Sequence, residues 1–329
     1  VGVELVALAE AVPELLEHAK GVAPDATGYS DYHEMLADEK VDAVAICLPT
    51  GMHAKAAVDA FNAGKHVYLE KPIGITMQEA AEVTAAEAAS GKTGMIGFNF
   101  RFHPVHQELK RRIESGAVGN VVAVRSAFCV AKHDIPKWKQ MRETGGGVLL
   151  DLGTHHIDQA RFLFGQPIAS VSAGVRAMTH EGDTASLRMT LGNGVIWDGL
   201  FSYQASDCDT IEVVGDAGML KLDRYAGTLE NAQAKPGAGV GKRVKAAIGD
   251  AAGLVGQVMK GGGEPSFENA LTAWAEAMNT TGKPPVTLNE AMNNLAVVCA
   301  AERSAESSGA PIDPADLIRE VSESVVGAA

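Results

Sequence analysis

Residues 42–48 read Asp-Ala-Val-Ala-Ile-Cys-Leu, a nearly continuous apolar run of strand length. A strand with this composition is covered on both faces, which is the situation in a parallel sheet flanked by helices. The run therefore predicts a central strand over Asp42–Leu48. Its neighbours repeat the theme. Val3–Ala9 predicts a strand and Pro13 opens a helix; a helix over Met52–Ala63 is closed by Gly64, suited to a left-handed cap, and a further strand begins at His66. Thr76 followed three residues later by Glu79 is a capping box that opens an alanine-rich helix, and Thr93–Asn99 predicts another strand. Strands alternating with helices in this way are βα units feeding a parallel sheet.

The pattern changes after a basic helix around Glu108–Glu114. From Val121 to about Leu222 the segments VVAVRSAFCV, ASVSAGVRA, ASLRMTL, VIWDGLFSY, DTIEVVG and GMLKLD alternate apolar with polar, as strands of an antiparallel sheet with one solvated face do. At 329 residues the chain also exceeds what one core normally holds. The expectation is an α/β protein with two domains: residues 1–118, a partial dinucleotide-binding domain, and residues 119–329, an α+β domain with an open, mostly antiparallel sheet. One helix, from Asp151 to Gly165, interrupts the second set of strands. Ala234–Gly263, rich in Gly, Ala and Lys, predicts an insertion with flexible ends. Helices at Pro265–Thr281 and Leu288–Ser308 finish the chain, packing partly back on the first domain, and no internal repeat is present.

Composition narrows the function classes. A net charge of -13, spread along the chain, argues against a nucleic-acid surface. The sequence holds neither a long uncharged apolar run nor a signal-peptide pattern, so it predicts a soluble, cytoplasmic protein with no membrane partner. Cys47, Cys129, Cys208 and Cys299 show no metal-ligand spacing and read as reduced, buried thiols.

Two segments carry candidate chemistry. Glu70-Lys71-Pro72 ends a predicted parallel strand, where ligands of open α/β sheets bind, and Pro49, Thr50 and His53 fall at the same sheet edge. A bare EKP is otherwise a common surface turn. The second segment is GGGVLLDLGTHHID, residues 145–158. Asp151 and His155 are four apart and share a face if the helix starts there, so the carboxylate can hold the imidazole in one tautomer, as a general base requires. Three glycines before them allow a substrate to approach the backbone closely. His156 reads either as a substrate neighbour or as a satisfied core histidine. Asp151, His155, His156 and Asp158 could instead ligate a metal, with His103, His106 or His133 as further candidates, although no third strong ligand stands out. Asn99 and Arg101, in GFNFRF, either orient a ligand or brace the link between domains.

Taken in order, VALAE, ICLPTGMHAKAA, GKHVYLEKPIG, GFNFRF and GGGVLLDLGTHHID resemble the Gfo/Idh/MocA oxidoreductase family over nearly the whole chain. The resemblance implies an NAD-dependent oxidoreductase acting on a sugar, inositol or related polyol. Lys71 matches the family's active-site lysine, Asp151 its motif aspartate and His155 its proton-transfer histidine. Cofactor contacts are then expected from Glu10, Pro49, Thr50, His53, Glu70, Lys71 and Asn99, and substrate contacts from Lys71, Arg101, Asp151, His155 and His156, with no metal. Glu10 matches the acid that binds the adenosine ribose; its charge would repel a 2′-phosphate and Ala11-Val12 supply no arginine, so NAD is expected over NADP. The resemblance also implies a homo-oligomer, dimer or tetramer, joined through the exposed sheet face. Two alternatives stay open: a non-catalytic dinucleotide-binding sensor, and a sugar hydrolase or eliminase that uses NAD transiently.

The resemblance has one departure. The glycine fingerprint GxGxxG should precede the Rossmann acid by about 20 residues, whereas Glu10 follows only nine residues that begin with Val1. The expectation is a fragment of a longer gene product, in preference to a native truncation, lacking the sheet's middle strand and binding NAD weakly or not at all as it stands.

Overall fold

A computed structural model describes residues 2–232, 264–280 and 282–327. They form two units: Val1–Gly97 with Ala270–Met292, and Phe98–Asn269 with Asn293–Ala329.

In the first unit the elements run β1 (Ala7–Ala9), α1 (Pro13–Val22), β2 (Thr27–Tyr29), α2 (Tyr32–Leu36), β3 (Ala43–Ile46), α3 (His53–Asn62), β4 (His66–Leu69), α4 (Met77–Ser90) and β5 (Gly94–Ile96). All strand pairs are parallel, but they belong to two sheets, β1-β2 and β3-β4-β5. This corrects the reading of Asp42–Leu48 as the central strand. β3 has one partner and β4 is the middle strand, with Val67 and Leu69 wholly buried. Between β1 and β3 runs a cleft of roughly 400 Å³ lined by Leu5–Glu10, Ala43–Leu48 and side chains of α2 and α3. The predicted strand at Val3 starts only at Ala7, and Val3 and Leu5 are exposed. Local signals hold elsewhere. The Thr76–Glu79 capping box forms in both directions, and Gly64 takes a φ of 72° just after α3.

The second unit is built on a seven-stranded sheet: β6 (Val121–Cys129), β7 (Ile168–Arg176), β8 (Thr184–Leu191), β9 (Ile196–Ser202), β10 (Cys208–Gly215), β11 (Met219–Asp223) and β12 (Thr228–Ala232). Its order is β12-β11-β10-β6-β9-β8-β7, and every adjacent pair is antiparallel except β6 with β9. Alternation sets the faces. In β8, Ala185, Leu187, Met189 and Leu191 are buried while Ser186 and Arg188 face outward. Its helices include α5 (Pro104–Glu114) and α6 (Thr154–Phe164); of the later helices, α7 (Pro265–Asn279) falls mostly in the first unit, α8 (Leu288–Glu306) begins in the first and continues in the second, and α9 (Pro314–Gly327) belongs to the second. Trp197 is fully buried and donates its indole N–H to Ser126 Oγ at 2.8 Å, satisfying the one polar atom it brings into the core.

Four elements lay outside the sequence reading: β2, α2, β12 and α9. The cysteine reading is corrected in part. All four thiols are free, but only Cys129 is buried, and Cys129 and Cys208 face each other across β6 and β10. The predicted insertion Ala234–Gly263 lies outside the described residues. Among the described residues no helix is long and apolar enough to cross a membrane.

Candidate active site

The triple glycine organises the candidate site of the second unit. Gly145 and Gly147 adopt φ of 97° and 93°, which side chains beyond glycine rarely tolerate. A Cβ on Gly146 would overlap the carbonyl of Lys139. The close approach at Gly146 is thus made by the chain's own turn, Lys137–Lys139, where the sequence suggested a substrate. With that turn seated, Lys139 Nζ reaches Asp151 Oδ2 at 2.9 Å, and Tyr203 Oη donates to the same oxygen at 2.7 Å. Burial, then the charge of Asp151, pushes the Tyr203 phenol far above its ordinary value, so it stays a proton donor.

Asp151 sits in a single π-helical turn, Leu149–Gly153, that runs directly into α6. Such turns are frequent at functional sites. His155 lies in the first turn of α6, nearly buried, with its imidazole stacked on Phe100 at 4.2 Å between centroids and 18° between planes. The predicted uniform helix from Asp151 is therefore a π turn followed by an α-helix.

His156 is completely buried, with Nε2 3.0 Å from Asp209 Oδ1. That burial fits the core-histidine alternative. Burial alone would raise Asp209, but the bonds and charges of His156 and Arg224 outweigh it and leave the carboxyl at about 2. Arg101 is also committed internally: Nε and Nη2 meet Asp158 at 2.8 and 2.6 Å, and Asn294 Nδ2 adds a bond to the same carboxylate at 2.9 Å. Asn99, buried, donates to Ser266 Oγ at 2.8 Å. His103 meets Glu264 at 3.5 Å, His106 meets Gln159 at 2.9 Å, and His133 bonds the Ala131 carbonyl. No group of three or more His, Cys, Asp or Glu among the described residues is arranged to hold a metal ion.

In the first unit, the carboxyl ends of β3 and β4 bring Pro49, Thr50, His53, Glu70 and Lys71 to one edge. His53 is buried and joins the two strand ends, with Nδ1 2.7 Å from the Pro72 carbonyl and Nε2 2.7 Å from that of Leu48. Burial pulls its imidazole below the ordinary value, against the two carbonyl contacts. Burial likewise raises Glu70, while Lys71 pulls it back down. A Cβ on Gly97 would meet the Glu70 and Tyr68 side-chain oxygens at 2.9 Å, so both side chains would have to shift to admit one. Glu10 closes β1 beside the cleft, with Oε1 accepting from the Val12 N–H at 2.8 Å.

Sequence reasoning missed Lys139, Tyr203 and Phe100. Lys139 had a faint signal, twelve residues before Asp151 and just ahead of the glycines; the other two meet the motif only through tertiary structure.

Comparison with known proteins bears on this arrangement. Residues 2–98 match the family described as "Oxidoreductase family, NAD-binding Rossmann fold", and residues 106–221 match the "GFO/IDH/MocA C-terminal domain". The uncharacterized oxidoreductase YrbE of Bacillus subtilis is 27% identical over 292 residues, 84% of this chain and 79% of its own length. A myo-inositol 2-dehydrogenase of Thermotoga maritima is 29% identical over 210 residues, 61% of this chain and 62% of its own. The crystal structure of the WlbA dehydrogenase from Bordetella pertussis, in complex with NADH and UDP-GlcNAcA, superimposes with a TM-score of 0.77 at 22% identity, covering 94% of this chain and 90% of that one.

Proposed function

The chain belongs to the Gfo/Idh/MocA family of oxidoreductases, with a Rossmann-like NAD-binding unit and a mixed-sheet unit, and from that membership we propose that it is an NAD-dependent dehydrogenase of a sugar, inositol or related polyol. The observation that carries the proposal is the Asp151 carboxylate, fixed by Lys139 and Tyr203 immediately before the helix turn that bears His155. A rigid carboxylate beside a histidine is what proton transfer to an imidazole requires. The inositol dehydrogenase among the relatives supports the substrate class.

When bound, NAD supplies the hydride acceptor. In this reading His155 takes the hydroxyl proton of the substrate as the hydride leaves the same carbon. Asp151 orients the imidazole and balances the charge that forms on it, and Lys71 donates a hydrogen bond to the substrate oxygen. Glu10 accepts from the adenosine ribose, which favours NAD over NADP. The protein is expected to work as a homo-oligomer.

The test is steady-state oxidation of a polyol panel headed by myo-inositol, with NADH absorbance as the readout. His155→Ala and Lys71→Ala are each expected to lower kcat by about a hundredfold or more with little change in NADH affinity. Equal loss of NADH binding in both variants would assign them a structural role and remove the proposal's basis.

A further inference from the structure

Phe100 packs against two groups of opposite character. Its ring stacks on His155 at 4.2 Å, and the guanidinium carbon of Arg224 lies 4.5 Å from its centroid. Arg224 is itself fixed: Nε donates to Asp209 Oδ2 at 2.6 Å, and the other oxygen of Asp209 meets His156 Nε2 at 3.0 Å. His155 and His156 are neighbours on α6 and leave it about 100° apart. The contacts therefore close a ring that starts on α6 at His156, passes through Asp209, Arg224 and Phe100, and returns to α6 at His155. Asp209 and His156 are wholly buried, Phe100 is 5% exposed and the Arg224 side chain 13%.

We propose that Arg224 is a positioning residue for His155, acting through the Phe100 ring. An imidazole has two side-chain torsions, and stacking on an aromatic face restricts its plane only as well as that face is itself held. A planar guanidinium over the ring is drawn to the π face, and Asp209 sets where it stands. Lysine, a compact and strongly hydrated point charge, would supply the sign without the flat surface. The other charged and titratable groups around Phe100 and Arg224 are His106, stacked 5.3 Å from Phe100, Glu264, 3.4 Å from Arg224 and paired with His103, and Tyr225, whose ring centroid lies 4.8 Å from the Arg224 guanidinium carbon. None of these takes over the contact with the His155 face of the stack.

The inference rests on the dehydrogenase reading only in giving His155 a reaction to be positioned for, so its test uses two readouts. In protein labelled with ¹³C-histidine, the His155 ring protons, assigned by their loss in His155→Gln, should lie upfield of random-coil positions through the Phe100 ring current. Arg224→Gln should remove about half or more of that displacement, while the His53 signals of the other unit stay in place. Arg224→Lys should restore thermal stability more than it restores the His155 signal. With NAD and myo-inositol, Arg224→Gln should lower kcat about tenfold and leave KM for NAD within about twofold. A folded Arg224→Gln protein whose His155 signals are unmoved would overturn the proposal; if Arg224→Gln does not fold, the same comparison is made in Arg224→Lys. A moved His155 signal in a protein that oxidises no polyol would uphold the positioning and discard the dehydrogenase reading.

Discussion

Tyr203 donates its phenolic hydrogen to Asp151 Oδ2 at 2.7 Å although 52 positions separate them, and Lys139 approaches the same oxygen at 2.9 Å. The carboxylate is thus held by a buried neutral donor and by a partly buried cation. Replacing Tyr203 by Phe removes the neutral donor and keeps the ring. A hydrogen bond to a charged group contributes about 1.5–3 kcal/mol, so Tyr203→Phe should lower urea-unfolding stability by an amount of that order. Because the bond also aims Asp151, kcat for myo-inositol oxidation should fall roughly tenfold. Unchanged kcat in a folded Tyr203→Phe protein would show that the orientation of Asp151 does not matter for turnover.

Gly146 tests how the lysine is placed. A Cβ there overlaps the Lys139 carbonyl and crowds that of Met141, and both obstacles are backbone. Gly146→Ala should therefore cost about 1–3 kcal/mol, as overpacking does, and should pull Lys139 away from Asp151. Gly21, in α1 with nothing near its missing Cβ, is the matched control. Gly21→Ala should be stabilising by about 0.5–1 kcal/mol. Equal effects of the two changes in chemical denaturation would contradict this account.

These two sites also show what the sequence can reveal. The parallel strands β1, β3, β4 and β5 were legible because their apolar runs are local, and the Thr76–Glu79 cap because both partners lie within four residues. β2 and β12 are short and carry few apolar residues, so neither period nor length marked them. The position of β3 at a sheet edge depends on which strands find partners, which an apolar run does not encode. Asp151 and His155 were legible as one motif. Their supports were not: Tyr203 and Phe100 reach the motif from the end of β9 and from the turn before α5, and Arg224 acts a further contact away. At the triple glycine the sequence suggested close approach by a substrate, whereas the backbone approaching Gly146 is that of Lys139 and Met141.

Arg101 and Asp158 form a bidentate pair with both side chains nearly buried, at 9% and 1% exposure. Breaking such a pair leaves an uncompensated buried charge and typically costs about 3–5 kcal/mol. Arg101→Met should destabilise by that amount. Arg101→Met combined with Asp158→Leu removes both charges and should recover a large part of the loss. A double variant as unstable as the single one would show that packing, rather than the stranded carboxylate, dominates at this position.

His106 should make the protein sensitive to mild acid. The ring is completely buried, and its Nδ1 lies 2.9 Å from Gln159 Oε1, an arrangement suited to the neutral imidazole. Burial, only partly opposed by the charge of Asp209, pulls its pKa from the ordinary 6.5 to about 3. The unfolded chain therefore binds a proton in a range where the folded protein does not. Stability from this group is fully present above about pH 6.5 and is lost as pH falls toward 3, at about 1.4 kcal/mol per pH unit for one proton. Urea unfolding between about pH 7 and pH 5 should show this decline, and His106→Asn should reduce its slope by close to one proton while lowering stability at neutral pH. The change in slope is the decisive quantity, because a merely structural loss would shift the whole curve without altering its dependence on pH.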